Sequence, residues 1–249
     1  MIKIEKLNKT FFKGKVNEIT ALKDVSLEIS KAGFVVIVGA NGSGKSTLLN
    51  CISGALLPDS GNLAINGIDV SRLAEHQRSK WIARVFQNPL SGTASELSIL
   101  ENFRLAALRT TSKTLRIGLT DKFKNTVKEK ITGLNMGLED KILQPMGTLS
   151  GGQRQALTLL MAVMDEVKIL LLDEPTAALD PRSAEVVMKT AKKLIDDYQL
   201  TAILITHNMK DAFTYGNRII QMAEGMLVRD LNSDQKKNTT HTELYEWFM

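Results

Sequence analysis

One stretch of eight residues constrains the fold of this chain more than any other. It matches the pattern G-x-x-x-x-G-K-[ST] and consists of Gly39, Ala40, Asn41, Gly42, Ser43, Gly44, Lys45 and Ser46. An apolar run rich in β-branched residues, 34–38, precedes it, and a helical pattern begins at Thr47. The pattern requires this order of strand, loop and helix, so a glycine-rich turn with a chance lysine explains the stretch poorly.

Each part of this loop has a physical reason to bind phosphate. Glycines allow backbone N–H groups to close around phosphate oxygens, and a helix N-terminus adds about half a positive charge. Lys45 can reach the β- and γ-phosphates, and Ser46 can offer its hydroxyl to Mg²⁺. We therefore expect residues 39–47 to form the phosphate-binding segment of a nucleotide site.

The composition is that of a soluble globular protein. The 249 residues, 43% hydrophobic and 24% charged, can bury the core of one large domain or of a domain with a subdomain. The net charge of +5 is spread along the chain, so no nucleic-acid partner is expected. A single cysteine, Cys51, suits a reducing cytosol, and we expect it to pack behind the loop. No apolar run reaches the roughly 18 residues that span a bilayer, and no signal peptide is expected.

Strand and helix patterns alternate along the chain, which predicts an α/β fold with a parallel sheet. Alternating polarity predicts antiparallel strands at 2–7 and 20–29. Apolar runs or short alternating segments predict further strands at 34–38, 62–66, 81–87, 168–173 and 200–206, and a hairpin at 218–230. Helical patterns cover 99–109, 119–132, 154–164 and 181–198.

Three regions depart from this alternation. Residues 88–148 are dominated by helical patterns, which predicts an inserted helical subdomain. Residues 232–238 are polar and are expected to form a linker. Residues 242–249 have the pattern of a short amphipathic helix presenting Leu244, Trp247 and Phe248.

Acidic residues end one of the buried strands. Asp173 and Glu174 follow the apolar residues 169–172, and in parallel sheets this strand edge faces the bound ligand. Asp173 can hold Mg²⁺, and Glu174 can polarise an attacking water. The alternative is a surface Asp-Glu pair before a turn-forming proline.

Two other predicted strands end in side chains that can act on a triphosphate. The amide of Gln87 can reach Mg²⁺ or the attacking water, although an ordinary strand-end glutamine explains it as well. His207 can donate to a γ-phosphate, although a lone histidine at a strand end is usually structural. His76 and His241 lie in polar stretches and are expected to face solvent.

A second segment of small residues also suits phosphate. Leu149 is followed by Ser150, Gly151, Gly152 and Gln153 at the start of a predicted helix. Serine and two glycines at a helix start form a phosphate site, although serine is also a common N-cap. Since one nucleotide can occupy only one of the two sites, we expect two copies of the chain to pair symmetrically, each closing over the other's phosphate loop.

Taken in their order along the chain, the segments described above resemble those of the ATP-binding cassette family, the nucleotide-hydrolysing subunits of ABC transporters. The resemblance covers roughly residues 2–230. It identifies 39–46 as Walker A, Gln87 as the Q-loop, 149–153 as the signature, 169–173 as Walker B, 178–180 as the D-loop and His207 as the switch histidine.

The resemblance implies a fold and a set of site residues. The fold is a P-loop NTPase with a RecA-like core, an antiparallel β-subdomain and an inserted helical subdomain. The implied boundaries within one domain, 1–249, are 1–90 and 165–231 for the core, 91–164 for the helical subdomain and 232–249 for a C-terminal tail. The implied cofactors are ATP and Mg²⁺, with Lys45, Gln87, Glu174 and His207 in catalysis and Ser46, Gln87 and Asp173 at the metal. An aromatic ring stacks on adenine in the family, and Phe11 matches it best, with Phe12 as the alternative.

The resemblance also implies partners and a location. It implies an ATP-dependent dimer, separate permease chains docked near 87–97, an extracytoplasmic solute-binding protein, and a place on the cytoplasmic face of the membrane. Ala156 and the sequence of 87–94 resemble cassettes associated with uptake of amino acids, aromatic ones included. An exporter subunit and an ATPase driving non-transport membrane machinery stay open as alternatives. A GTPase is disfavoured because Asn8-Lys9-Thr10-Phe11 has phenylalanine where guanine recognition needs aspartate.

Overall fold

The computed structural model describes residues 1–109, 118–240, 242–243 and 247, and the strands within these ranges form two sheets. The first sheet is antiparallel and contains β1 (Ile2–Phe11), β2 (Ile19–Ile29), β4 (Ser60–Ile65) and β5 (Ile68–Asp69), in the order β2-β1-β4-β5. The second contains β3 (Phe34–Val38), β6 (Ile82–Val85), β7 (Ile169–Asp173), β8 (Thr201–Ile205), β9 (Arg218–Ala223) and β10 (Met226–Leu231), in the order β10-β9-β3-β8-β7-β6. All neighbouring strands of the second sheet are parallel except β9 and β10.

Helices connect and cover these strands. In the described part of the chain they are α1 (Lys45–Ser53), α2 (Glu75–Arg78), α3 (Ile99–Ala106), α4 (Asp121–Thr132), α5 (Gly151–Ala162), α6 (Pro181–Asp197), α7 (Met209–Thr214) and α8 (Ser233–Asn238). The stretch between β6 and β7 contributes α3, α4 and α5 to the fold. The predicted α/β class is confirmed, with one antiparallel sheet and one sheet that is parallel except for the β9–β10 pair. No helix in the described ranges has the length and apolar character needed to cross a membrane.

Alternate residues of β3 contribute to two separate hydrophobic cores. Val35 and Ile37 pack with the antiparallel sheet and with Leu48 of α1. Val36 and Val38 point the other way, into a core that they share with α3, α4, α5 and α6. Successive side chains of a strand face opposite sides of the sheet, so a strand covered on both sides is apolar throughout. This explains why 34–38 and 169–172 are unbroken apolar runs.

Parallel pairing brings the ends of four strands to one edge of the sheet. β3 pairs with β8, β8 with β7, and β7 with β6. The phosphate loop follows β3, His207 comes two residues after β8, and Glu174 directly follows β7. Gln87 lies two residues beyond β6, on an exposed bend, so the prediction that it ends the strand is wrong by two residues.

The polar segment 232–238 is a helix, so the predicted linker is wrong. The side chain of Asn232 accepts hydrogen bonds from the backbone N–H groups of Asp234 and Gln235. The Gln235 side chain accepts one from the Asn232 N–H at 3.0 Å. This reciprocal capping satisfies N–H groups at the start of α8, and polarity alone did not reveal it.

The structure describes residues 242, 243 and 247 of the segment predicted as a C-terminal helix. Trp247 is buried in the larger core, and its carbonyl accepts a hydrogen bond from Gln221 Nε2 at 3.0 Å. Leu244, Phe248 and His241 lie outside the described residues. His76 is exposed on α2, as predicted.

A buried arginine fixes the end of α1, the helix that follows the phosphate loop. Arg78 is fully buried, and its Nη1 donates to the carbonyls of Cys51 and Ile52 at 2.6 and 3.0 Å. Its Nε and Nη2 donate to the carbonyls of Leu73 and Ser71. The last carbonyls of a helix have no partner within the helix, so Arg78 satisfies groups that would otherwise be buried without one.

We expect Arg78→Met to lower the free energy of unfolding by about 3 kcal/mol, because it leaves several buried carbonyls without donors. For a chain of this length, that is a fall in Tm of about 9 °C. The matched control is Arg72→Met, since Arg72 is exposed and donates only to the Pro58 carbonyl. Thermal unfolding of the nucleotide-free protein measures both, and equal small losses would contradict the role given to Arg78.

Candidate nucleotide-binding site

Two glycines of the loop occupy positions that no other residue fits. Gly39 has φ +146°, and a Cβ there would lie 2.1 Å from the Met222 carbonyl oxygen. Gly44 has φ +100°, and a Cβ there would lie 2.4 Å from the Ala21 carbonyl oxygen. Both distances are far below van der Waals contact. The loop is therefore shaped by close backbone neighbours from β9 and β2, which hold it at the start of α1.

The Lys45 side chain curls back over the loop. Its ammonium donates to the carbonyls of Gly39 and Ala40 at 2.7 and 2.8 Å and to Ser43 Oγ at 3.3 Å. Burial lowers the pKa of Lys45, while the nearby carboxylates of Glu174 and Asp173 act in the opposite direction. Lys45 is only 6% exposed, so its positive charge is held inside the phosphate loop.

Two oxygens that suit magnesium meet beside the loop. Ser46 Oγ lies 3.5 Å from Asp173 Oδ1. Mg²⁺ in nucleotide enzymes is held by one or two such protein oxygens together with substrate phosphates and water. The described residues contain no cluster of three or more His, Cys, Asp or Glu side chains that could hold a metal by itself. A hydroxyl and one carboxylate next to a phosphate loop fit a metal that arrives with its nucleotide.

An arginine that the sequence analysis did not single out contacts the same carboxylate. Arg84 Nη2 lies 2.6 Å from Asp173 Oδ2, and Arg84 Nη1 donates to Asn50 Oδ1 at 2.6 Å. The signal available in the sequence was a charged residue in the otherwise apolar strand 82–85. Its partner could not have been identified, since 89 residues separate Arg84 from Asp173.

Glu174 and His207 form a pair at the same edge. His207 Nδ1 lies 3.0 Å from Glu174 Oε2, and the histidine side chain is 59% exposed whereas that of the glutamate is 16% exposed. Glu174 has φ +46°, a left-handed conformation that is uncommon and strained for a residue with a side chain. Its N–H still donates to the Ile205 carbonyl at 3.0 Å, which holds this backbone against β8.

The loop after β6 is tied to the loop after β7 by a buried glutamine. Gln155 Nε2 donates to the carbonyls of Phe86 and Pro175 at 2.8 and 3.0 Å. Gln155 lies on α5 and is 1% exposed. It therefore connects α5 to the two loops that follow β6 and β7, at the residues adjacent in sequence to Gln87 and Glu174. Gln155 was not among the predicted site residues.

The Ser150 segment lies at the N-terminus of α5. Ser150 Oγ accepts a hydrogen bond from the Gln153 N–H at 3.3 Å, and Gln153 Oε1 accepts one from the Ser150 N–H at 3.1 Å. Ser150 and Gly151 are exposed, whereas a Cβ on buried Gly152 would lie 2.5 Å from the Ser183 Cβ. Ser150 is thus an N-cap that faces solvent together with Gly151, whereas Gly152 packs against α6.

Phe11 and Phe12 lie where β1 meets the turn to β2. Phe11 pairs with Ile19, and the Lys9 ammonium lies 5.9 Å from the centre of the Phe11 ring. Phe12 is 53% exposed and has φ +54°. Two residues beyond Ile19, the Ala21 carbonyl lies against the phosphate loop, so both phenylalanines are on the hairpin that borders it.

The predicted residues fall into two groups. One group shares close contacts at the sheet edge and consists of Lys45, Ser46, Asp173, Glu174 and His207. The other lies around it without direct hydrogen bonds to that group and consists of Phe11, Gln87 and 150–153. Ala40, Asn41 and Gly42 lie in the loop itself, and Thr47 lies in the first turn of α1. Cys51 is buried behind the loop, and burial raises the pKa of its thiol to about 11.

Comparison with known proteins identifies a family. The family model described as ABC transporter matches residues 22–177. A tyrosine transport ATP-binding protein of Clostridioides difficile (strain R20291) is 36% identical over 248 residues, which cover 100% of this chain and 98% of that protein. A phosphonates import ATP-binding protein of Lactococcus lactis subsp. lactis (strain IL1403) is 34% identical, covering 98% of each. Methionine import ATP-binding proteins also match, and the chain spans 64% of the length of one from Vibrio vulnificus (strain YJ016).

Solved structures agree with the sequence relatives. A dimeric ATP-binding cassette in a post-hydrolysis state, bound to ADP and phosphate, superposes with a TM-score of 0.80 at 30% identity. The match covers 94% of this chain and 99% of that one. The chain therefore belongs to the ABC transporter family of ATP-binding proteins and is an ATPase.

Proposed function

We propose that this chain is the ATP-hydrolysing subunit of a membrane importer and that it binds and cleaves MgATP at the edge of its parallel sheet. The observation that carries the proposal is the cluster at this edge, in which the Lys45 cation, the Ser46 hydroxyl and the Asp173 and Glu174 carboxylates converge. Positioning and electrostatic stabilisation supply most of the rate in phosphoryl transfer. This cluster contains the groups that such a reaction needs.

Each side chain of the cluster has a proposed role. Lys45 and the loop amides bind the β- and γ-phosphate oxygens, and Phe11 stacks on the adenine, with Phe12 as the alternative. Glu174 orients the attacking water and accepts its proton. His207 faces Glu174 with Nδ1, which leaves Nε2 for the γ-phosphate. Gln87 reaches the same water or the metal when its exposed loop moves.

Ser46 and Asp173, with Gln87, are the proposed ligands of Mg²⁺. When bound, the ion neutralises negative charge on the β- and γ-phosphate oxygens. The two protein oxygens that are 3.5 Å apart support this assignment.

We propose further that the functional unit is a head-to-tail dimer. Residues 150–153 are proposed to close over the γ-phosphate held by the partner's loop. The exposure of Ser150 and Gly151 supports this role, because both residues are open to contact by a second copy. The dimeric cassette with ADP and phosphate is a precedent in the family.

The proposed docking site for the permease chains is the cleft between the loop after β6 and the helices α3 and α5. A cavity of about 320 Å³ lies there, lined among others by Ala94, Asn102, Leu105, Arg109 and Thr158. Leu105 is 53% exposed although it is apolar, and the side chain of Leu90 in the same loop is 55% exposed. Exposed apolar side chains at the rim of a cleft are typical of protein interaction sites.

The division of the chain follows from this arrangement. We propose a core of about 1–90 and 165–231, a helical subdomain of about 91–164 that contains α3, α4 and α5, and a tail of 232–249. In this scheme the chain lies on the cytoplasmic face of the membrane and is bound to permease chains. An extracytoplasmic solute-binding protein delivers the solute to these permease chains.

The proposed cargo is an amino acid, with aromatic ones included. The relative named for tyrosine transport matches over 98% of its length and supports this assignment. A relative named for phosphonate import matches almost as fully, so the family name alone does not set the cargo. An exporter subunit and an ATPase of non-transport membrane machinery are the alternative functions.

We expect Glu174→Gln to bind ATP normally, to lose at least about 100-fold in hydrolysis, and to accumulate as a dimer, because the water is no longer activated while the ATP contacts persist. Phosphate release and light scattering with and without ATP measure this. Glu129→Gln, the same substitution on the exposed face of α4, is the control. A Glu174→Gln variant that stays active and remains monomeric in ATP would refute the assignment.

We expect Leu105→Glu to keep the ATPase rate of the isolated chain within about twofold, as surface substitutions usually do. Uptake of labelled tyrosine by cells that depend on the variant should fall at least about tenfold, since a charge placed in the docking cleft opposes assembly. Leu143→Glu is the matched control, because Leu143 is also exposed and does not line the cavity.

The same uptake assay tests the cargo assignment and the docking cleft separately. If cells with the wild-type chain take up another labelled solute but not tyrosine, the cargo assignment is wrong while the importer stands. If Leu105→Glu transports as well as Leu143→Glu, the cleft is not the docking site.

A further inference from the structure

We propose that Arg84 is a positioning residue for Asp173, which it holds so that only one carboxylate oxygen is free for the metal. This inference rests on the proposed magnesium site at Asp173 and Ser46. The ion pair between Arg84 and Asp173 is held by further contacts of Arg84 to Asn50 on α1 and to the Phe86 ring. Arg84 lies outside the segments that resemble those of the ABC transporter family, 39–46, Gln87, 149–153, 169–174, 178–180 and His207.

The contacts of Arg84 divide the two oxygens of the carboxylate. Arg84 Nη2 lies 2.6 Å from Asp173 Oδ2, whereas Asp173 Oδ1 lies 3.5 Å from Ser46 Oγ. One oxygen is therefore committed to the guanidinium and the other faces the hydroxyl of the phosphate loop. A carboxylate held in this way can bind a cation through one oxygen only.

The guanidinium itself is held on two further sides. Its Nη1 donates to Asn50 Oδ1 at 2.6 Å, on the helix that follows the phosphate loop. Its Cζ lies 4.7 Å from the centre of the Phe86 ring, within the range of a cation–π contact. Arg84 Nε is buried and makes no hydrogen bond among the described residues. The contacts to Asp173, Asn50 and Phe86 therefore fix the guanidinium in place.

The position on the sheet explains why an arginine can reach this carboxylate. β6 and β7 are adjacent and parallel, with Arg84 opposite Leu171. Arg84 shares its face of β6 with Ile82, towards α1, while Ala83 and Val85 point into the other core. The side chains of Arg84 and Asp173 are only 11% and 13% exposed. Pairs that are this shielded from water interact strongly, and removing one partner leaves an uncompensated charge.

The ion pair has two opposite consequences for a metal. The positive charge of Arg84 competes with a cation for the carboxylate and weakens metal binding. The fixed orientation of Asp173 keeps the remaining oxygen aimed at the Ser46 hydroxyl, which a productive complex requires. Groups that orient metal ligands commonly change metal affinity or activity by a factor of about 10 to 100.

The test compares Arg84→Met and Arg84→Lys with the wild type. Mn²⁺, which takes the same oxygen ligands, is titrated by electron paramagnetic resonance in the presence of a non-hydrolysable ATP analogue, and kcat is measured separately with Mg²⁺. We expect Arg84→Met to bind Mn²⁺ about fivefold more tightly while kcat falls about tenfold. Arg84→Lys keeps the charge, so its Mn²⁺ affinity should lie close to that of the wild type.

Asp173→Asn provides the reference for both proposals. In the Asp173→Asn background, Arg84→Met should leave the Mn²⁺ affinity unchanged, because the effect acts through the carboxylate. If Asp173→Asn alone does not alter Mn²⁺ binding, the proposed metal site is wrong, independently of Arg84. The inference fails if Asp173→Asn weakens Mn²⁺ binding but Arg84→Met does not change the Mn²⁺ affinity. It also fails if Arg84→Met lowers both the Mn²⁺ affinity and kcat, because Arg84 is then merely structural. Binding of the analogue without metal, together with Tm, establishes that each variant is folded.

Discussion

The parallel register of four strands is the constraint on which the candidate site depends. β3, β8, β7 and β6 end at one edge of the sheet, so segments as far apart in sequence as Gly39 and Thr206 begin side by side there. Backbone from β2 and β9 then packs so closely against Gly39 and Gly44 that no Cβ fits. The phosphate loop is thereby held in place by the sheets, and its neighbours can act on one ligand.

The fold was predictable wherever a local pattern matched a local cause. Strand β3 was predicted to the residue, because a strand buried on both faces is an unbroken apolar run between turn signals. The boundaries of α6 were predicted to within one residue, since Asp180 caps it and Pro181 starts it. The linker prediction for 232–238 failed because a capping box, rather than an apolar face, begins α8. The end of β6 was placed two residues too late, because the apolar run continues into Phe86 beyond the paired residues.

The residues that the sequence did not reveal have partners that are far away in the chain. Arg78 satisfies the end of α1 from α2, and Gln155 joins two loops from α5. Arg84 reaches Asp173 across the β6–β7 pair. Arg84 is a charged residue in an otherwise apolar strand, which signals a buried partner without identifying it, whereas Arg78 lies in a polar stretch that gives no such signal. The ordered segments identify the family, and these long-range contacts explain how the site is held.

The central claim is that one ATP is enclosed by the phosphate loop of one copy and by residues 150–153 of the other. The most direct measurement mixes two variants that are each inactive, Lys45→Ala, which spoils the loop, and Ser150→Arg, which spoils the α5 N-terminus. In a mixed dimer one of the two sites has both parts intact, and half of the dimers in an equal mixture are mixed, so about a quarter of the wild-type ATPase rate should return. A mixture that stays as inactive as its components, or a Ser150→Arg variant that hydrolyses ATP at the wild-type rate alone, would contradict the account.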